Sequence, residues 1–384
     1  MKINEIPTPF YIVYEERLRR NLQLITDVAH RADVKIIMAF KANALWKTFD
    51  IFKEYDVACT ASSLNELRLG REYLTDRIYS YSPAYTERTI NEYLAGSTHI
   101  TFNTLSQWEK FKDSVKEYNK NSGRYVSPGL RVNPRCSVIT TDLYNPALPG
   151  SRFGASAHEL SDGLPEGIEG LHFHALCEST SYDLAKVLAS FEAQFGKLLE
   201  GVKWVNMGGG HIMTRADYDT DHLVQVLRAF KSRYPWIEII LEPGSAFTWR
   251  TGDLISSVVD IVDNDGVTTA IMDVSFACHM PDTLEMPYKP TITESDGEKP
   301  VAGHPTYRLG GNSCLSGDFM GDWSFAEPLK IGDRLTLEDM NHYTTVKTNM
   351  FNGIDHPAIV FCDSRGECSY IRQFTYEDYK SRMS

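Results

Sequence analysis

Eight short apolar runs, each followed by turn residues and then by a stretch of helical spacing, fill the first two-thirds of the chain. The runs are Lys35–Phe40, Asp56–Thr60, Arg77–Tyr81, His99–Asn103, Gly129–Asn133, Gly170–His174, Lys203–Met207 and Ile237–Glu242. Between them Glu15–Ala32, Ser63–Tyr73, Glu87–Leu94, Ser181–Leu199 and Asp221–Tyr234 read as amphipathic helices. Thr104-Leu-Ser-Gln-Trp and Ser62-Ser-Leu-Asn-Glu read as capped helix starts. Strand–helix alternation implies parallel pairing, and eight units predict closure into a TIM-type (β/α)8 barrel. An open doubly wound sheet is the alternative. The expected class is α/β, with the barrel over residues 14–247.

After Glu242 the texture changes. Leu254–Val262, Thr268–Asp273, Arg334–Leu337 and Ala358–Cys362 read as strands separated by Gly, Asp and Pro turns, and helical periodicity returns only in the last dozen residues. A second, mostly β domain is expected over 1–13 plus 248–384. Phe10–Val13 is expected to pair within it, because it precedes the first helix and has no barrel slot left.

Charge and cysteine usage narrow the function classes. Among 384 residues, 39 Lys+Arg stand against 51 Asp+Glu, a net charge of −12, which argues against a nucleic-acid or anionic-membrane partner. No stretch reaches the roughly 18 apolar residues of a membrane span, and the first residues have no signal-peptide core, so a cytoplasmic location is the default expectation. The seven Cys are odd in number and form no Cys-x-x-Cys pair, as expected of a reducing compartment.

In a parallel barrel the working groups sit where strands end. There the sequence places Lys41, Arg131, His174 with Cys177, the triplet Gly208–Gly210, and Glu242 followed by Pro243-Gly244-Ser245. A desolvated lysine can bond to an aldehyde, a bare amide turn can cradle a phosphate, and a carboxylate can hold a pyridine nitrogen protonated. Together they point to pyridoxal 5′-phosphate. Taken singly, each has a plainer reading: a solvated lysine, a flexible turn, a buried Glu242–Arg131 salt bridge. His172, His174 and His211 raise the question of a metal, but no carboxylate or Cys completes a usual ligand spacing, so none is expected.

These residues, with Pro9-Phe10-Tyr11, Ala39-Phe40-Lys41-Ala42-Asn43, Gly150-Ser-Arg-Phe-Gly154, Cys314-Leu-Ser-Gly-Asp318, Tyr343 and Phe351-Asn352-Gly353, resemble the fold-type III pyridoxal phosphate decarboxylases of the alanine racemase/ornithine decarboxylase superfamily. Phe173–Glu178, Met207–His211 and His279–Tyr288 are similar to its carboxynorspermidine/carboxyspermidine decarboxylase branch. The resemblance implies that Lys41 bonds the cofactor, His174 stacks on its ring and Glu242 pairs with the ring nitrogen. It implies that Gly209, Gly210 and Tyr343 bind phosphate, and that Cys314 reaches the site from the partner subunit of a homodimer to protonate the substrate carbon. The implied substrate is a small cationic polyamine amino acid. Asp282, Glu285 and Asp318 are candidates to read its amines, and Arg152 or His279 its carboxylate. The chain departs from the ornithine decarboxylase pattern at Cys177, where a phosphate-binding Ser is usual, and at Ser245, where an Arg is. Cys59 sits near the place of a supporting Asp, and Leu315 replaces an acidic residue. Alternatives are a decarboxylase of meso-diaminopimelate or ornithine, or a non-catalytic cofactor carrier. A racemase is disfavoured by Glu242.

Overall fold

The computed structural model describes residues 1–285 and 288–384; Met286 and Pro287, within the His279–Tyr288 segment singled out above, lie outside the described residues. The chain divides into two compact units, 21–247 and 1–20 with 248–384.

The unit 21–247 is built on strands of a single parallel sheet. Preceded in the chain by β1 (Phe10–Tyr14), they are β2 (Lys35–Ile36), β3 (Met38–Ala39), β4 (Cys59–Ala61), β5 (Ile78–Tyr81), β6 (His99–Phe102), β7 (Ser127–Arg131), β8 (Gly170–His172), β9 (Trp204–Asn206) and β10 (Glu238–Leu241). The order is β2-β10-β9-β8-β7-β6-β5-β4-β3. Its two ends are halves of one interrupted strand. Ile37 N–H donates to Leu241 C=O and Met38 N–H to Ala58 C=O, each at 2.9 Å, so a single apolar run serves both neighbours and closes an eight-stranded barrel. The helix starts read from sequence are capped by Ser63, which accepts from Glu66 N–H, and by Thr104, which accepts from Gln107 N–H, each at 3.2 Å.

The end of the barrel where strands begin is plugged. A Cβ on Gly129 or Gly170 would lie 2.2 or 2.0 Å from the Trp204 ring, so the indole fills the space these two glycines leave. Trp204 Nε1–H donates to Ser127 Oγ at 2.8 Å, and His99 stacks on Tyr79 with ring centroids 4.2 Å apart. Chemistry is thereby confined to the opposite mouth.

In the other unit, β1 lies between β11 (Gly252–Asn264), antiparallel, and a parallel β16 (Ala358–Cys362). The sheet continues through β12 (Val267–Met272), β13 (Thr306–Gly310) and β14 (Phe319–Ser324) on one side and β17 (Cys368–Arg372) on the other. A further strand, β15 (Arg334–Leu337), pairs with β11 off this path. Thus β1 pairs within this sheet, as expected. Its Tyr11 packs into the cluster of Leu254, Met272 and Trp323.

Candidate active site at the barrel mouth

Lys41 stands two residues past β3 and keeps access to solvent. Burial lowers its pKa; Glu242 opposes that effect and Arg131 adds to it. The amine is thus biased toward the neutral, nucleophilic form. Ala42 beside it meets the glycine of Glu242-Pro243-Gly244: a Cβ on Gly244 would come within 2.5 Å of Ala42 Cβ.

Glu242 follows β10. Asn206, the last residue of β9, donates from Nδ2 to Glu242 Oε1 at 2.7 Å, and its Oδ1 accepts Gly208 N–H at 2.9 Å. The second bond fixes which way the amide faces, so the Glu242 oxygen is an acceptor. Thr60 also hydrogen-bonds Glu242, and His172 Nε2 lies 3.6 Å from Oε2. Burial raises the Glu242 pKa; the bonds from Asn206 and Thr60, with Lys41 and Arg131, pull it back. Glu242 is not bonded to Arg131 among the described residues. Arg131 instead donates to Tyr81 Oη at 2.6 Å and to His174 C=O at 3.3 Å. Tyr81 passes the connection to Asn103 Oδ1 at 2.9 Å, and Asn103 Oδ1 also accepts Gly154 N–H at 3.1 Å. Phe153 is sandwiched between the guanidinium groups of Arg131 and Arg152, 4.3 and 4.2 Å from its ring centroid.

Gly209 N–H donates to His174 Nδ1 at 2.9 Å. An imidazole that accepts at Nδ1 is neutral with its proton on Nε2, in keeping with a His174 pKa driven down by burial and by the Lys41 and Arg131 charges. The triple glycine threads between strand exits too tightly for side chains. A Cβ on Gly209 would lie 2.4 Å from Glu242 C=O, and one on Gly210, whose φ is +92°, would lie 2.3 Å from Leu176 C=O. Cys177 N–H donates to Ser179 Oγ at 3.2 Å, and Ser245 opens the short helix Ser245–Thr248.

The barrel unit therefore brings together Lys41, Arg131, His174, Cys177, Gly209, Gly210 and Glu242 around the ends of β3 and β7–β10. A buried carboxylate, a ring held flat by one amide and a bare glycine turn fit the pyridine, ring face and phosphate of pyridoxal 5′-phosphate. Asn206, Thr60 and Tyr81 complete this set without having been singled out in the sequence. Their only signal there is position, one at or next to each strand exit.

The remaining candidates belong to the other unit. Cys314 is exposed, and its N–H donates to Asn352 Oδ1 at 2.8 Å. Asn352 itself takes a φ of +60°. Asp318 is buried and spent locally, accepting Ala277 N–H at 2.9 Å and the Ser313 hydroxyl at 2.6 Å. Asp282 pairs with Lys347 Nζ at 2.7 Å, and Glu285 binds the same ammonium. His279 is fully buried; its Nδ1 accepts Ser275 N–H at 3.2 Å. Tyr343, with a φ of +55°, lies edge-on to His342.

This fold and site define a pyridoxal phosphate-dependent carboxy-lyase. Residues 12–341 match the family described as pyridoxal-dependent decarboxylase, C-terminal sheet domain, and the chain belongs to that family. Among curated proteins, it is 42% identical over 382 residues to carboxyaminopropylagmatine decarboxylase of Synechocystis sp., covering 100% of this chain and 97% of the relative. It is 40% identical over 391 residues to carboxynorspermidine/carboxyspermidine decarboxylase of Campylobacter jejuni, covering 100% of both. The crystal structure of Campylobacter jejuni carboxynorspermidine decarboxylase complexed with norspermidine superposes with a TM-score of 0.89 at 38% identity, over 98% of this chain and 100% of that one.

Proposed function

We propose that the chain removes CO2 from carboxyspermidine or carboxynorspermidine, yielding spermidine or norspermidine. The observation that carries this reading is Glu242, seated at the barrel mouth by Asn206 and Thr60. A carboxylate there favours a protonated pyridine, which suits decarboxylation; a cation would favour racemisation. Bound pyridoxal phosphate supplies an aldehyde for an amine and a ring that accepts the electron pair freed as CO2 departs. Lys41 would hold the aldehyde carbon, His174 the ring face, Glu242 the ring nitrogen, and Gly209, Gly210 and Tyr343 the phosphate. His174 is kept from tilting by the Gly209 amide.

Cys314 is the proton donor to the substrate carbon in this reading, delivered from the partner of a homodimer, with Asn352 fixing its backbone. Asp282 and Glu285 offer carboxylates already arranged around an ammonium, that of Lys347, which is the contact a polyamine needs. Asp318 would support the Cys314 loop from within, through its bond to Ser313. A cytoplasmic location accompanies the reading; no helix among the described residues is long and apolar enough to cross a membrane.

A second reading, decarboxylation of carboxyaminopropylagmatine, is favoured by the 42% identity to the Synechocystis protein. CO2 release measured on all three compounds separates them. The first reading expects the higher kcat/KM on carboxyspermidine or carboxynorspermidine. A clear preference for carboxyaminopropylagmatine would overturn it.

A further inference from the structure

Two of the seven cysteines face one another across an edge hairpin, and neither has a role in the site described above. Cys362 ends β16 and Cys368 begins β17, in direct antiparallel register. The hydrogen-bond pattern says which kind of pair they form. Asp363 N–H donates to Glu367 C=O at 3.0 Å, so the next pair toward the turn is the hydrogen-bonded kind. Antiparallel pairs alternate, which makes Cys362–Cys368 a non-hydrogen-bonded pair. The outward side of Cys368 agrees: its N–H donates to Met1 C=O at 2.9 Å, and its C=O accepts from Met1 N at 3.1 Å. Non-hydrogen-bonded pairs bring Cα atoms to about 4.5 Å, inside the range of about 4.4–6.8 Å that a disulfide spans.

The side chains share a face as well. Both thiols join the cluster of Ile6, Phe10, Ile12, Ile255 and Val360, and both are buried. The turn fixes the register next to the pair: Asp363 Oδ1 accepts the N–H groups of Arg365 and Glu367, each at 2.9 Å, and Gly366 supplies a φ of +77°. Ser364–Glu367 are exposed, so fraying from the turn uncovers the cysteine pair first.

We propose that Cys362 and Cys368 are a site of reversible covalent modification, closed to a disulfide by low-molecular-weight disulfides. Burial pushes the Cys362 thiol up, so once the turn frays Cys368, as thiolate, attacks a sulfur of oxidised glutathione and releases one glutathione. The other attacks the mixed disulfide, forming the Sγ–Sγ bond and releasing the second. The two protein S–H protons pass to the two departing thiolates, and the two electrons reduce the reagent. The closed form staples the last hairpin of the sheet and raises the stability of the unit that holds Cys314.

The test treats the full-length holoenzyme with oxidised glutathione and maps it without reductant; trypsin cleavage after Arg365 puts the two cysteines on separate peptides. The expected result is one linkage joining residues 362 and 368, an intact mass lower by two hydrogens, and a Tm higher by about 3 °C. All three should revert with dithiothreitol. Cys362→Ser and Cys368→Ser should each abolish the Tm rise. If either variant fails to fold, the peptide map of the unsubstituted enzyme decides alone. Seven free thiols after exposure, a glutathione adduct that persists at either residue, or a linkage through any other cysteine overturns the proposal.

Discussion

Asn206 Nδ2 donates to Glu242 Oε1 across 2.7 Å while Asn206 Oδ1 is tied to the Gly208 amide, so the glycine turn and the buried carboxylate are one hydrogen-bonded unit. A hydrogen bond to an ionised group contributes about 1.5–3 kcal/mol. Asn206→Ala should therefore lower kcat/KM by about 10- to 100-fold. Asn206 holds the Glu242 pKa down against burial. Removing it raises that pKa, so the acidic limb of the pH–kcat/KM profile should move to higher pH. An unmoved limb would argue that Asn206 only packs.

Lys41→Ala should abolish the long-wavelength absorbance of bound cofactor and lower turnover at least about a thousandfold. Because burial lowers the Lys41 pKa, the apoenzyme should react with added pyridoxal phosphate at a pH below that needed by a solvated lysine. Reconstitution rate against pH, read by absorbance, measures this. Borohydride trapping followed by peptide mapping should mark residue 41.

Gly209→Ala tests the close approach at the turn. The added methyl would sit 2.4 Å from Glu242 C=O, so the turn must move and the His174 bond must stretch. We expect a loss of about 2 kcal/mol in unfolding free energy and weaker cofactor binding. Denaturant melts and cofactor titration report the two effects separately.

Cys314→Ala changes an exposed side chain whose loop is held through its backbone, so Tm should hardly change. Turnover should fall by about 10²- to 10⁴-fold, the usual worth of a placed proton donor. Normal turnover in this variant would remove Cys314 from the mechanism. Asn352→Ala should give a milder loss by freeing the loop.

His211 is buried, and the Gly208 backbone is the group that offers its ring a hydrogen bond. Burial lowers its pKa from 6.5 to about 4. A depressed folded-state pKa means the unfolded chain takes up the proton first. Its stabilising effect is complete above the unfolded pKa and fades as pH falls from about 6.5 toward about 4. The full effect is of the order of 3 kcal/mol. In His211→Phe the fall of Tm across that window should be visibly shallower.

Periodicity made most of the barrel legible: the helix Glu15–Ala32 was bounded correctly, and each of the eight runs contains or overlaps a strand. The run Lys35–Phe40 hid its interruption, because Ile37 changes neighbour without any change in hydrophobicity. In the other unit β13, β14 and β17 have no clear signature in the sequence. Phe319–Ser324 carries Gly and Asp inside the strand, and Cys368–Arg372 is a short edge, so neither shows clean alternation. Residues whose chemistry is unusual, such as Lys41 at a strand exit, could be read. Asn206, Thr60 and Tyr81 could not, since an ordinary polar residue gains its role only from what lies across from it.

The methyl of Ala42 against the bare Gly244 has a corollary for anyone re-engineering this mouth. The loop bearing the amine and the loop bearing the carboxylate are spaced by a single hydrogen atom. A side chain added at Gly244 would press on the loop that carries the amine, so new specificity is better written into other walls of the cleft.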